Sequence, residues 1–115
     1  MDIKQTQRVD FTITRGDVLA FNVRLNGLGE DNLTSAYFTV TQPESENFVQ
    51  IFQKSLTNGI SKIEDELYSV RVAPEDTAQM APKAYCYDLE LGIGDDIYTP
   101  IAGDLILLRG STQHE

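Results

Sequence analysis

Apolar and polar side chains exchange places at every second position over most of this chain. Val9, Phe11 and Ile13 alternate with Asp10, Thr12 and Thr14. Leu19, Phe21, Val23 and Leu25 alternate with Ala20, Asn22 and Arg24. Further on, Tyr85, Tyr87, Leu89 and Leu91 alternate with Cys86, Asp88 and Glu90. An extended strand sends successive side chains to opposite faces, whereas a helix repeats every 3.6 residues. The period of two therefore describes half-buried strands. Strands with one apolar face must stack that face on another layer.

Turn signals cut this pattern into pieces. Arg15-Gly16-Asp17 separates the first two strands. Asn26-Gly27-Leu28-Gly29-Glu30-Asp31-Asn32 is a loop whose glycine and Asx residues tolerate left-handed backbone. A third strand is expected over 34–42, with Ala36, Phe38 and Val40 on one face. Pro43-Glu44-Ser45-Glu46-Asn47 breaks it. A fourth strand over 48–55 has apolar residues at Phe48, Val49, Ile51 and Phe52, a spacing that leaves its facing open. A bulge or an edge position accounts for such spacing. Asn58-Gly59 is the strongest hairpin signal in the chain, because both residues accept positive φ. A short strand over 60–63 and another ending at Val72 follow.

Pro74-Glu75-Asp76-Thr77-Ala78-Gln79-Met80 is the one helical candidate, with proline and early acids suited to a first turn. Gly92-Ile93-Gly94-Asp95-Asp96 reads as a hairpin turn before a long last strand over 97–108, kinked at Pro100 and Gly103-Asp104. About seven or eight short strands with turn signals at this spacing predict an antiparallel β-sandwich of the immunoglobulin-like kind. The domain is expected over residues 9–109, with 1–8 as an N-terminal extension and 110–115 as a disordered tail.

Composition narrows function mainly by exclusion. The formal net charge is −9, and the nine Lys and Arg residues are scattered. Neither nucleic acid nor an anionic membrane is an expected partner. No apolar run reaches the length of a membrane span, and the polar start does not resemble a secretory signal, so synthesis and folding in a cytoplasm are expected. One cysteine, Cys86, excludes an internal disulfide and any multi-cysteine metal site. On a strand beside aromatic residues, Cys86 reads as a small buried hydrophobe.

Catalysis needs a base beside a nucleophile. The single histidine, His114, falls in the expected tail, and no Gly-x-Ser-x-Gly elbow occurs. The acidic pairs Glu30-Asp31, Glu75-Asp76 and Asp95-Asp96, and the triplet Glu64-Asp65-Glu66, sit on turns. Exposed turns do not provide the apolar pocket that raises a catalytic carboxyl. No loop has the alternating oxygen ligands of a calcium hand. No enzyme activity, cofactor or metal is expected. Arg15-Gly16-Asp17 spells an integrin-binding tripeptide, but Gly-Asp is ordinary turn chemistry. Asn32-Leu33-Thr34 matches a glycosylation acceptor, expected to stay bare without a signal peptide.

Tyr85 and Tyr87 share one face of a strand that follows a proline-bounded turn. In sandwich domains a tyrosine at such a corner ties its hydroxyl to nearby backbone. A structural corner role is expected for this pair, with Tyr85 the first choice.

The stretch Glu66-Leu67-Tyr68-Ser69-Val70-Arg71-Val72-Ala73-Pro74-Glu75-Asp76-Thr77, then Tyr85-Cys86-Tyr87-Asp88-Leu89-Glu90-Leu91, carries a resemblance. It is similar to small immunoglobulin-like proteins of tailed phages and prophages, among their tail, baseplate and fibre components. In that pattern a strand ends in Pro-x-Asp-Thr and a Tyr-x-Tyr-Asp-Leu strand resumes after a short turn. Arg15-Gly16-Asp17, Asn32-Leu33-Thr34-Ser35-Ala36 and Tyr98-Thr99-Pro100-Ile101-Ala102-Gly103-Asp104 fit it too. These are motifs of fold and not of chemistry. Asp76-Thr77-Ala78 also resembles the corner of antibody variable domains, but the paired cysteines and core tryptophan of those domains are absent.

The resemblance implies a virion protein, made in the bacterial host cytoplasm, that binds other virion proteins or its own copies. Phe48, Val49, Ile51 and Phe52 are the expected partner strip, because an edge strand with exposed apolar side chains invites a neighbour. The rival reading is a carbohydrate-binding or cell-surface recognition module, with Tyr37, Tyr68 and Tyr98 as ring platforms.

Overall fold

The computed structural model describes residues 2–43 and 47–110. Among the described residues, nine strands and one helical turn follow one another in chain order: β1 Gln7–Arg8, β2 Phe11–Thr14, β3 Leu19–Arg24, β4 Ser35–Thr41, β5 Gln50–Ser55, β6 Ile60–Glu64, β7 Leu67–Val72, α1 Pro74–Thr77, β8 Ala84–Ile93 and β9 Asp96–Leu108. They form an all-β sandwich of two sheets. A six-stranded sheet runs β1-β9-β8-β4-β5, with β2 also on β9, and faces a three-stranded sheet in the order β3-β7-β6.

The alternation read from the sequence is the packing code. In β4, Ala36, Phe38 and Val40 are buried while Tyr37 faces out. In β8, Tyr85, Tyr87, Leu89 and Leu91 are buried, and in β7, Tyr68, Val70 and Val72. Two apolar faces meet in one core.

The expected first strand starts only at Phe11, and a separate two-residue strand, Gln7–Arg8, precedes it in the stretch expected as an extension. β1 and β2 both run parallel to β9, Gln7 opposite Ile101 and Phe11 opposite Leu105. Between them Asp10 Oδ1 accepts the Asp104 backbone N–H at 2.8 Å. Arg8 bridges the carboxylates of Asp10 and Asp104 at 3.2 and 3.1 Å. Gly103 makes this approach feasible, because a Cβ there would collide with the Val9 carbonyl. The domain also starts earlier than residue 9. Ile3 is buried in the core, and the Asp2–Asn26 bridge holds its segment down. An isolated apolar residue in a polar stretch carries no periodicity, which is why residues 1–8 read as an extension.

Asn58-Gly59 does not close a hairpin within one sheet. Gly59 adopts φ +98°, as its signal requires. The chain then leaves the six-stranded sheet and enters the three-stranded one, where Ile60 is buried opposite Val70. A tight turn sets local direction only, and burial of Ile60 decides which sheet the returning strand joins. The irregular fourth strand has both causes considered for it. β5 is the terminal strand of its sheet. Its register shifts where Val40 faces Phe52 and Thr41 faces Gln50, leaving Ile51 as the extra residue. Pro100 likewise falls in a register shift between β8 and β9.

Four rings join the layers. Phe11, Phe38 and Tyr87 come from the six-stranded sheet and Phe21 from the other. Ring centroids lie 4.7 Å apart for Phe11–Phe21, 5.3 Å for Phe11–Tyr87, 5.8 Å for Phe21–Phe38 and 5.1 Å for Phe38–Tyr87.

Polar links close the ends. Lys54 turns inward from β5, and its Nζ meets Asp76 Oδ2 of α1 at 2.6 Å. The same carboxylate oxygen accepts the Ala73 N–H at 2.7 Å. Thr77, fully buried, accepts the Gly16 N–H at 3.0 Å. Glu66 takes positive φ in the β6–β7 turn and accepts the N–H groups of Gly27 and Gly29, both at 3.0 Å. The Gly29 bond leads in holding its carboxyl below the ordinary range.

Lys54 is 6% exposed, so removing it leaves Asp76 charged in a half-dry site. Lys54→Met is expected to cost about 3 kcal/mol in urea unfolding. Adding Asp76→Asn, which removes the stranded charge but keeps an acceptor for Ala73, should recover most of that loss.

Candidate functional site

The outer face of the six-stranded sheet is where the fold displays side chains that its core does not use. Antiparallel register places Thr39 opposite Asp88 and Tyr37 opposite Glu90 on this face. Asp88 pairs across to Ala102, and Cys86 to Asp104. A cleft of about 390 Å³ opens here, lined by Arg8, Thr39, Phe48, Cys86, Asp88 and Asp104 among others.

Cys86 is therefore not a core residue. It sits between two tyrosines that face inward, so the same alternation turns its thiol outward, where it is half-buried in the cleft wall. Asp88 stands on the exposed side, yet the surrounding sheet removes part of its hydration. That loss, with the Glu90 carboxylate beside it, raises its carboxyl above the ordinary range. Arg8 is already held by Asp10 and Asp104. Such exposed pairs orient the cleft rim more than they stabilise the fold. The cleft thus offers hydroxyls, a thiol, carboxylates and the Phe48 ring.

The expected partner strip divides in two. Phe48 and Val49 are 52% and 58% exposed, just ahead of β5. Ile51 and Phe52 are half-buried against the core. The bulge explains the division, since it lets two neighbouring residues of β5 face inward.

Tyr85 and Tyr87 are both buried. Tyr85 Oη donates to the Ala81 carbonyl at 2.6 Å, across the turn that precedes β8. Tyr87 Oη donates to the Val9 carbonyl, at the break between β1 and β2. Burial pushes the Tyr87 hydroxyl up to about 12, and the nearby Asp10 carboxylate adds to the shift.

The other candidates separate widely. Arg15 reaches toward the Met80 carbonyl at 3.5 Å, and Gly16 is bound to Thr77, so Arg15-Gly16-Asp17 is packed against the α1 end of the sandwich. Tyr68 is 2% exposed and accepts the Leu33 N–H, which removes it as a sugar platform. Tyr37 is exposed and Tyr98 half-buried. Among the described residues no three His, Cys, Asp or Glu side chains come together as a metal group. Glu44, Ser45, Glu46 and His114 lie outside the described residues, as does the expected tail from residue 111 on.

Sequence reasoning missed Lys54, Asp10 and Asp104. A lysine on an edge strand ordinarily reads as solvated, and nothing local in the sequence shows its partner 22 positions away. Comparison of the chain with protein-family models and with curated proteins returns no match.

Replacing Tyr85 by Phe is expected to cost about 1 kcal/mol in urea unfolding, the worth of one buried hydrogen bond. Tyr87 should ionise late, near pH 12, in an ultraviolet pH titration. Its folded pKa lies above the unfolded value of 10, so its contribution is complete below pH 10 and is lost as pH rises toward 12. A Tyr87→Phe variant should lack that late step.

Proposed function

We propose that this chain is a structural or accessory protein of a tailed-phage particle, associated with the tail, baseplate or fibre, and that it acts by binding proteins and not by catalysis. The resemblance of residues 66–77 and 85–91 to immunoglobulin-like phage proteins motivates the source. One structural observation supports the mode of action. Phe48 and Val49 stand in solvent beside an open cleft, at the entrance to an edge strand. Large apolar side chains grouped at such a place mark a protein-binding surface.

In this reading the protein is made in the host cytoplasm and carried into the particle by its contacts. The rigid sandwich presents the face, and the cleft rim around Phe48 anchors the partner. A carbohydrate-binding role draws less support, because Tyr68 is in the core and the two remaining tyrosines stand on different strands.

Mass spectrometry of purified particles should detect the chain, and immobilised protein should retain a co-encoded tail or baseplate protein. Phe48→Asp with Val49→Asp should weaken that retention at least tenfold while leaving the melting temperature nearly unchanged. Absence from particles, with no affinity for any co-encoded tail protein, would overturn the proposal.

A further inference from the structure

Two asparagines of this chain are followed by glycine, Asn26 and Asn58. Glycine has no side chain to shield its nitrogen, so that nitrogen can reach the carbonyl carbon of the asparagine side chain before it. The attack requires the glycine N–H to give up its proton and to turn toward that carbon. Both asparagines and both glycines are exposed. The two settings differ at the glycine N–H.

The Gly27 N–H donates to Glu66 Oε2 at 3.0 Å, and the Gly29 N–H donates to the same oxygen at 3.0 Å. These bonds fix the plane of the Asn26–Gly27 peptide. They also set a negative charge against the nitrogen, which opposes formation of the reactive amide anion.

The Gly59 N–H meets no acceptor among the described residues. The groups around it hold the turn without using it. The Asn58 N–H donates to the Ser55 carbonyl at 2.9 Å, and the Ser55 N–H donates to the Asn58 carbonyl at 3.0 Å. The Arg71 N–H donates to the Gly59 carbonyl at 2.8 Å. A donor on the Asn58 carbonyl draws electron density from the Asn58–Gly59 amide and makes its N–H more acidic. Residues 47–61 contain no Asp or Glu, so the local chain sets no carboxylate against this nitrogen.

We propose that Asn58 is a site of spontaneous deamidation in the folded protein, and that Glu66 shields Asn26 from the same reaction. The Gly59 nitrogen bonds to Asn58 Cγ, the Cγ–Nδ2 bond breaks, and the Gly59 proton leaves with the amide as ammonia. Water then opens the cyclic imide at either carbonyl, giving aspartate or isoaspartate. An isoaspartate carries the main chain through the former side chain and lengthens it by one methylene. This turn is the link from β5 to β6, where the chain passes from one sheet to the other. It has little room to adjust. A Cβ at Gly59 would lie 2.7 Å from the Arg71 carbonyl oxygen, and the next residue, Ile60, is 2% exposed opposite Val70. The isoaspartate form should therefore melt below the native protein. This inference is independent of the phage reading.

Peptide mapping by mass spectrometry tests it, on the full folded chain aged in mildly alkaline buffer. Asn58 should convert to aspartate and isoaspartate roughly tenfold faster than Asn26, the difference that one adjacent charge makes to the abundance of an anion. In concentrated urea the two sites should convert at similar rates, because the folded settings are gone. Glu66→Ala should speed conversion of Asn26 and leave that of Asn58 unchanged, with circular dichroism checking the fold. The comparison of both sites within one native sample requires no variant. Folded protein whose Asn58 stays intact while the urea-unfolded chain converts, or whose Asn26 converts as fast as Asn58, would overturn the proposal.

Discussion

The contact of Phe21 with Phe11 and Phe38 is the interaction on which the rest of the fold depends. Phe21 is the only member of the four-ring cluster that comes from the three-stranded sheet. Immunoglobulin domains pin their two sheets with a disulfide packed on a tryptophan, and the second cysteine follows the corner tyrosine by two positions. Here Tyr85 makes the corner bond, and the residue two positions on is Tyr87. Tyr87 stacks on Phe38 and meets Phe11, so rings take the place of the covalent pin. Aromatic contacts of this geometry add to the burial of the rings themselves. A chain with one cysteine has no covalent alternative.

The hydroxyl of Tyr87 extends this link to the N-terminus. It donates to Val9 at the place where β1 gives way to β2. Asp10 and Arg8 fasten the same break to Asp104. The opposite edge is fastened differently, by Lys54 reaching from β5 to Asp76 of α1. That pair draws the last strand of one sheet toward the corner of the other. Its removal of charge from β5 also shapes the surface, since the edge strand is left polar but uncharged outside. Packing at one end of the sandwich and accessibility at its margin are thus set by the same lysine.

The alternation of Phe38, Tyr87 and their neighbours made the sandwich legible, because period two translates directly into facing. The helical turn at Pro74 and the break at Pro100 were legible from proline chemistry. What stayed hidden depends on contacts between distant residues. Asn58-Gly59 specifies a tight turn, but not whether the next strand stays in the same sheet. Arg8, Asp10 and Asp104 read as scattered surface charges because their meeting requires the parallel pairing of the first strands on the last. Of the candidate face, Phe48 and Val49 were visible as apolar residues out of phase. Cys86 was misread by composition, since a free cysteine is usually buried, although its own alternation with Tyr85 and Tyr87 pointed outward.

The claim that rings bridge the sheets has a direct measure in a double-mutant cycle between Phe21 and Phe38. Phe21→Leu, Phe38→Leu and the double variant keep apolar volume but remove the ring contact across the layers. The account predicts a coupling energy of about 0.5–1.5 kcal/mol in urea unfolding. Losses that add to within about 0.3 kcal/mol would show that the two rings stabilise their own sheets separately, contradicting the role given to them.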